Sequence, residues 1–454
     1  MFVDESNSSR GGGTIVLKAD ELVLNGYIWS TGQSIDSFPV SVGGGAGGTI
    51  AIDARKISGT GSINVMGTAG YSVTNDNNIG DGSGGIVSIK YQEVPEPTTY
   101  DNYGYVLSDI QIIAWGGHSG SRNYRGANGT IYLENKTTEK SKLYVQGYAY
   151  YEGINDETVY CKTKTYLTGI TSDIDLIFDR AAVYIADSNL PKINIVDGCK
   201  AGKIIIEFPQ TISTNSINTN CEKGAYLGFQ QDLNLSSSTI ASSNERLELD
   251  VIGHLHTPDT KLTLSNTILG LHQPHTFASL DLTNNSLVNS GFPAIYTANI
   301  APSALDISAQ SISIDSTSAV DVSGNGIINQ TTTCGSYSHA GKGNNSSTEI
   351  YGDYAAPVTF GAGCISNDAI SKIYGGGALK LTVNNLVLDG AIRANAAGMN
   401  GGSGGSIWID AENISRTTAI TDSQIISANG NADGGGGRVF IYSGNVEGID
   451  LSLN

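Results

Sequence analysis

The sequence predicts an all-β chain wound as a parallel β-helix, a solenoid with loop insertions. Three observations predict it. Glycine makes up 58 of 454 residues and gathers in clusters that precede short aliphatic runs. Those runs alternate apolar and polar residues, the period of strands, and helical periodicity is nearly absent. The two ends of the chain also repeat one another in order.

The repeat sets the framework. Gly11-Gly12-Gly13-Thr14-Ile15-Val16-Leu17, running on to Leu22-Val23-Leu24-Asn25-Gly26-Tyr27-Ile28, aligns without a gap with Gly375-Gly376-Gly377-Ala378-Leu379-Lys380-Leu381 and Leu386-Val387-Leu388-Asp389-Gly390-Ala391-Ile392. Gly44-Gly45-Ala46-Gly47-Gly48-Thr49-Ile50-Ala51-Ile52-Asp53-Ala54 answers Gly401-Gly402-Ser403-Gly404-Gly405-Ser406-Ile407-Trp408-Ile409-Asp410-Ala411. Asp81-Gly82-Ser83-Gly84-Gly85-Ile86-Val87-Ser88-Ile89 answers Asp433-Gly434-Gly435-Gly436-Gly437-Arg438-Val439-Phe440-Ile441. The chain therefore reads as the end of one module followed by a complete module of about 360 residues, a piece of a longer array. Within each copy a glycine cluster leads to an alternating strand, a spacer and two further short strands. That is one coil of a solenoid, which buries its inward residues only by stacking on its neighbours.

Five segments follow. Residues 1–91 are the end of a preceding module, and 92–160 a Tyr-rich insertion or loop region. Residues 161–326 are central coils, with alternating strands such as Lys261-Leu262-Thr263-Leu264 and Ser311-Ile312-Ser313-Ile314. Residues 327–373 form a long loop excursion, and 374–454 are coils duplicating 11–91. Larger loops are expected at about 92–128, 145–170 and 327–373.

Composition bounds the function. A net charge of −18 argues against nucleic acid or an anionic membrane surface as partner, and suits an extracellular setting and divalent cations. No run approaches the roughly 18 apolar residues of a membrane span, so no membrane insertion is expected. No secretory leader pattern follows Met1. Five widely spaced cysteines suit one or two disulfides in an oxidising compartment. Cys199 with Cys221 and Cys334 with Cys364 close loops of ordinary size and leave Cys161 over; the alternative is buried reduced thiols.

The run Gly401 to Ala411, followed by Ile425-Ile426-Ser427-Ala428-Asn429-Gly430 and Gly434-Gly435-Gly436-Gly437-Arg438-Val439-Phe440-Ile441-Tyr442, resembles the glycine-rich parallel β-helix modules of large bacterial surface proteins of adhesin type. Tyr351-Gly352-Asp353, Pro357, Gly361-Ala362-Gly363 and Gly375-Gly376-Gly377 resemble the string that precedes that repeat. The resemblance covers about 320–442 well and 11–91 by duplication. The chain departs from it between Cys364 and Lys372, where Ile-Ser-Asn-Asp-Ala-Ile-Ser replaces the family's glycines. The resemblance implies a secreted or cell-surface protein, often adhesion-related. It also implies a right-handed winding, the usual sense of parallel crossovers.

The expected function is a non-enzymatic structural and adhesive module, monomeric within a longer chain, that contacts polysaccharide or a cell-surface glycan or protein. Tyr103, Tyr105, Trp115, Tyr124, Tyr148, Tyr150 and Tyr151 are candidate carbohydrate-stacking residues, because flat rings on a rigid scaffold suit sugars; the bland alternative is the core of the insertion. Asn75, Asp76, Asn78 and Asp81 offer hard oxygen ligands for Ca²⁺ on a turn, without EF-hand spacing; the alternative is a solvated Asn/Gly turn. His254/His256 and His272/His275 are the only close histidine pairs, and they lack a recognised metal motif. The rival functions are a β-helix polysaccharide lyase or glycoside hydrolase and a phage tail-spike-like fibre. The enzyme requires a carboxylate pair about 5 to 10 Å apart. Asp173, Asp175 and Asp179 are the candidates at short spacing. Asp353 and Asp368, with Tyr351, Tyr354 and His339, are a second group in a loop.

Overall fold

The computed structural model describes residues 9–33, 42–71, 80–93, 99–101, 104–117, 126, 129–146, 164–165, 174–179, 182–185, 193–200, 203–206, 210–212, 217–218, 225–242, 246–291, 303–331, 336–344, 349–366, 372–399, 401–417 and 425–449. The described chain is all-β with parallel sheets; its one helical element is the single turn Pro258–Thr260. It divides into two units, Met1–Phe208 with Asn218–Tyr226, and Pro209–Ile217 with Leu227–Asn454.

In the first unit, strands Thr14–Val23, Thr49–Ser58, Ile86–Tyr91 and Gly129–Asn135 pair in that order, all parallel. Between them the chain crosses to a second sheet, where Tyr27–Trp29, Ser62–Asn64 and Ile110–Ile113 also pair in parallel. Each crossing returns the chain to the first sheet one strand further on. Period-2 alternation then forces inward residues into columns. Ile15, Ile50, Val87 and Ile131 form one, and Leu17, Ile52, Ile89 and Leu133 the next. From Ile50 onward these side chains are buried, together with Ile63 and Ile112 of the second sheet. Each such side chain contributes on the order of 1.5–3 kcal/mol by leaving water.

The expected parallel order is interrupted once in this unit. Gly129–Asn135 turns back as an antiparallel hairpin with Lys140–Gln146. Asn135 Oδ1 accepts the backbone N–H groups of Thr137 and Thr138, at 2.9 and 3.2 Å, and Glu139 adopts φ +54°. These are the marks of a tight polar turn. Lys140–Gln146, Ile174–Asp179 and Ile193–Lys200 are parallel to one another but run opposite to the strands before the hairpin. A second departure lies in the region expected as loop. Thr99–Asp101, Gly104–Leu107 and Ile110–Ile113 form an antiparallel meander.

In the second unit, one sheet stacks Thr239–Ala241, Lys261–Ser265, His275–Thr283, Leu305–Ile314, Ala378–Leu388, Ser406–Ser415 and Arg438–Val446, all parallel. A second stacks Leu247–Val251, Thr267–Leu271, Leu287–Asn289, Ala319–Asp321, Ala391–Arg393 and Ile426–Ser427, also parallel. The chain alternates between them. The expected excursion at 327–373 is partly sheet: Ile327–Thr331 pairs with Ala362–Ser366, which folds back on Lys372–Tyr374.

The sequence duplication is a duplication of register. Ile15 opposes Ile50 and Ile50 opposes Val87 in the first unit; their counterparts Leu379, Ile407 and Val439 oppose one another in the same way in the second. The glycine corners repeat bond for bond. Gly48 N–H donates to Ser30 O at 2.7 Å, and its counterpart Gly405 N–H donates to Ala394 O at 2.8 Å. Gly85 N–H reaches Val65 O and Gly437 N–H reaches Ala428 O, both at 2.7 Å. At Gly47 a Cβ would overlap the Val65 carbonyl oxygen and lie 2.6 Å from Gly85 N. At Gly404 it would overlap the Ala428 carbonyl and lie 2.6 Å from Gly437 N. Glycine is required there because neighbouring coils bond backbone to backbone with no room for a side chain.

Candidate functional site

Of the aromatic residues expected to stack on sugars, Trp115 alone has a described side chain. It is half-buried, and its carbonyl accepts Gly67 N–H at 2.9 Å. Tyr105 lies on strand Gly104–Leu107 with its side chain outside the described part; Tyr103, Tyr124, Tyr148, Tyr150 and Tyr151 lie outside the described residues. Of the Ca²⁺ candidates, Asn75, Asp76 and Asn78 lie outside them as well. Asp81 accepts Gly70 N–H at 2.8 Å and so ties the two ends of its loop together. Among the described residues, no group of three His, Cys, Asp or Glu side chains is placed to hold a metal ion. Cys364 is buried and disulfide-bonded. Cys221, Cys334 and Cys161 lie outside the described residues, as does the side chain of Cys199.

The carboxylate candidates separate. Asp175 stands on strand Ile174–Asp179 in register with Lys142, and burial raises its carboxyl above the usual range while Lys142 and Lys140 oppose the rise. Asp173, Asp368 and the side chain of Asp179 lie outside the described part. Asp353 accepts Ala355 N–H at 2.8 Å in an exposed turn of its own making.

The second loop group is partly assembled. His339 is fully buried; one ring nitrogen, Nδ1, donates to Gly404 O at 2.7 Å, and Nε2 meets Thr359 Oγ1 at 2.8 Å. The ring of Tyr351 packs on it, centroids 4.8 Å apart, and the Tyr351 hydroxyl donates to Phe360 O at 2.7 Å. Arg438 Nη2 donates to Tyr351 O at 2.9 Å. Tyr354 points away and is exposed. With both ring nitrogens engaged, His339 has no free base to offer a substrate. It fastens the 337–361 loop onto the Gly404 corner.

Burial, assisted by the charge of Arg438, lowers the His339 pKa below its ordinary 6.5. The native loop therefore holds the neutral ring. Its contribution is complete above about pH 6.5 and is lost as pH falls through the folded value. The expected outcome is loosening of this loop below pH 6, read by hydrogen exchange at Tyr351 and Gly352. In His339→Gln that acid-dependent step is absent.

A second polar group sits at the corner following strand Thr267–Leu271. His272 Nε2 lies 2.9 Å from Asp250 Oδ1, with both side chains buried. Gly291, at φ +82°, passes so close to the His272 ring that no side chain fits there. On the surface, Asp232 accepts His254 N–H at 2.8 Å, which holds its carboxyl below the usual range. The rings of His254 and His256 reach the same carboxylate at 3.6 and 3.8 Å.

One aromatic pair was not anticipated as a site. Tyr27 and Trp29 stand at i, i+2 on one strand face with ring centroids 5.0 Å apart, and are 74% and 56% exposed. The i, i+2 spacing was the available signal. Their rings offer an apolar surface on a rigid strand, the chemistry that sugar rings stack upon.

No family model, no curated protein and no solved structure matches the chain. Among the described residues no helix is long and apolar enough to cross a membrane.

Proposed function

We propose that this chain is a structural and adhesive module of cell-surface type. Its glycine-cornered rows are coils of a right-handed parallel β-helix that present aromatic surface and loops to polysaccharide or to another cell surface. The observation that carries this reading is the glycine corner, repeated bond for bond in two places. Chain length is spent on a repeated scaffold, while His339, His272, Asp250 and Asp353 all serve local structure. The handedness rests on the crossover preference. The acidic balance favours neutral or cationic glycans, or acidic ones bridged by a divalent cation.

The test is a glycan array and a polysaccharide pull-down with the purified chain. Tyr27→Ala with Trp29→Ala weakens binding about tenfold or more, a loss of roughly 1.4 kcal/mol, without a change in melting temperature. Absence of binding to any glycan, cell or matrix contradicts the reading. The enzymatic alternative rests on Asp175, whose raised carboxyl suits a general acid. It requires release of reducing or unsaturated ends that Asp175→Asn abolishes.

A further inference from the structure

The duplicated unit appears twice, and each copy lacks a cover that the other copy has. In the second unit, Ala378–Leu388 is covered on its upstream side by Leu305–Ile314, and its inward Leu379, Leu381 and Leu386 are buried. Its counterpart Thr14–Val23 has one partner among the described residues, Thr49–Ser58. Its inward Ile15, Leu17 and Leu22 are only partly buried, and Val16 and Val23 are 71% and 58% exposed. Downstream the deficit is reversed. Ile86–Tyr91 is covered by Gly129–Asn135, and Val87 and Ile89 are fully buried. Its counterpart Arg438–Val446 has one partner among the described residues, Ser406–Ser415, and Val439 is 44% exposed.

We propose that the bare edge of Thr14–Val23 takes strand Arg438–Val446 of a second copy of this chain, in parallel, with Ile15 opposite Val439. The register comes from the duplication itself. Rows of this unit always follow with Ile15, Ile50 and Val87, or Leu379, Ile407 and Val439, in one column. Continuing it sets Leu17 against Ile441 and Leu22 against Val446, aliphatic on aliphatic. On the outer face Phe440 lies beside Val16. Tyr442 lies beside Lys18, an ammonium-on-ring pairing such as Lys380 makes over Trp408 at 5.3 Å.

The backbone agrees. At the start of each covered row an N–H donates to the preceding glycine carbonyl. Thr49 donates to Gly13 at 3.0 Å, and Ile86 to Gly48, Ser406 to Gly377 and Arg438 to Gly405 at 2.9 Å each. Thr14 N–H donates to Gly437 O of the second copy in the same pattern. An unpaired strand edge is a template for such addition. The contact is head-to-tail, so each copy keeps one edge for the next. It replaces the monomer expected from sequence.

Sedimentation velocity over a concentration series tests this on the whole 47.4 kDa chain. The expected result is a series of species at multiples of that mass. Val16→Pro removes an N–H on the bare side only, and Val439→Lys places a charge inward on the other edge; each alone is monomeric. Mixed one to one, they form a dimer and nothing larger, because each variant supplies the edge that the other lacks. That rescue also shows that both variants are folded. A wild-type monomer at every concentration overturns the proposal, as do oligomers that persist in both variants or a mixture that stays monomeric. Glycan binding is read separately, so failure here leaves the proposed function standing.

Discussion

Replacing Gly404 by alanine is expected to destabilise the second unit by about 2–4 kcal/mol, as overpacking against unyielding backbone does. The new methyl meets the Ala428 carbonyl and Gly437 N, which are main-chain atoms held by the Gly437 N–H to Ala428 O bond, so neither has a flexible end to swing away. Gly47→Ala has the same effect on the first unit, where Val65 O and Gly85 N occupy the equivalent places. Gly436 is the internal control. It belongs to the same glycine run, yet a Cβ there meets nothing within 4 Å. Gly436→Ala is therefore neutral, or stabilising by up to about 1 kcal/mol through the unfolded chain. Urea unfolding followed by circular dichroism separates the cases. Equal losses at Gly404 and Gly436 contradict the reading that coil-to-coil approach, and not flexibility, calls for glycine.

Asp250→Ala is expected to cost about 3–5 kcal/mol, the usual penalty for breaking one side of a buried ionic or hydrogen-bonded pair. The His272 ring is held between the Asp250 carboxylate and the Gly291 backbone, and it cannot turn to solvent without opening the corner. Asp250→Asn retains a hydrogen-bonding side chain and costs less than half as much. Melting temperature is the readout. If Asp250→Ala melts with wild type, the pair is not a structural element of the corner.

Much of the framework was legible in the sequence, for a definite physical reason. A stacked strand must keep its inward residues in phase with those above and below, so duplication in sequence forces duplication in register. Ile15, Ile50, Leu379 and Ile407 could be placed from alternation alone. The hairpin between Gly129–Asn135 and Lys140–Gln146 could not. Alternation reads the same in parallel and antiparallel strands, and the turn signal at Asn135 to Glu139 looks like any other polar corner. The sheet pieces around Ile327–Thr331 and Ala362–Ser366 were missed because their short runs are broken by glycine and polar residues.

The candidate site was less legible than the fold. His339 and Tyr351 were grouped correctly by proximity in sequence, but only coordinates show that both ring nitrogens of His339 are engaged. The Asp250–His272 pair joins residues 22 positions apart on neighbouring coils, and no motif spacing announces it. Tyr27 and Trp29 read as ordinary strand residues until the bare edge beside them exposes their rings.

The central claim is that the duplicated segments stack as in-register parallel rows. Pairwise cysteine substitution, with crosslinks mapped by peptide mass, tests it most directly. Outer-face partners Val16→Cys with Ala51→Cys, and their counterparts Lys380→Cys with Trp408→Cys, should both form disulfides, since adjacent in-register strands lie about 5 Å apart. Val16→Cys with Asp53→Cys, shifted by two residues, should not. Crosslinking of the shifted pair in preference to the aligned ones, or of one copy without the other, would contradict the stacked-row account.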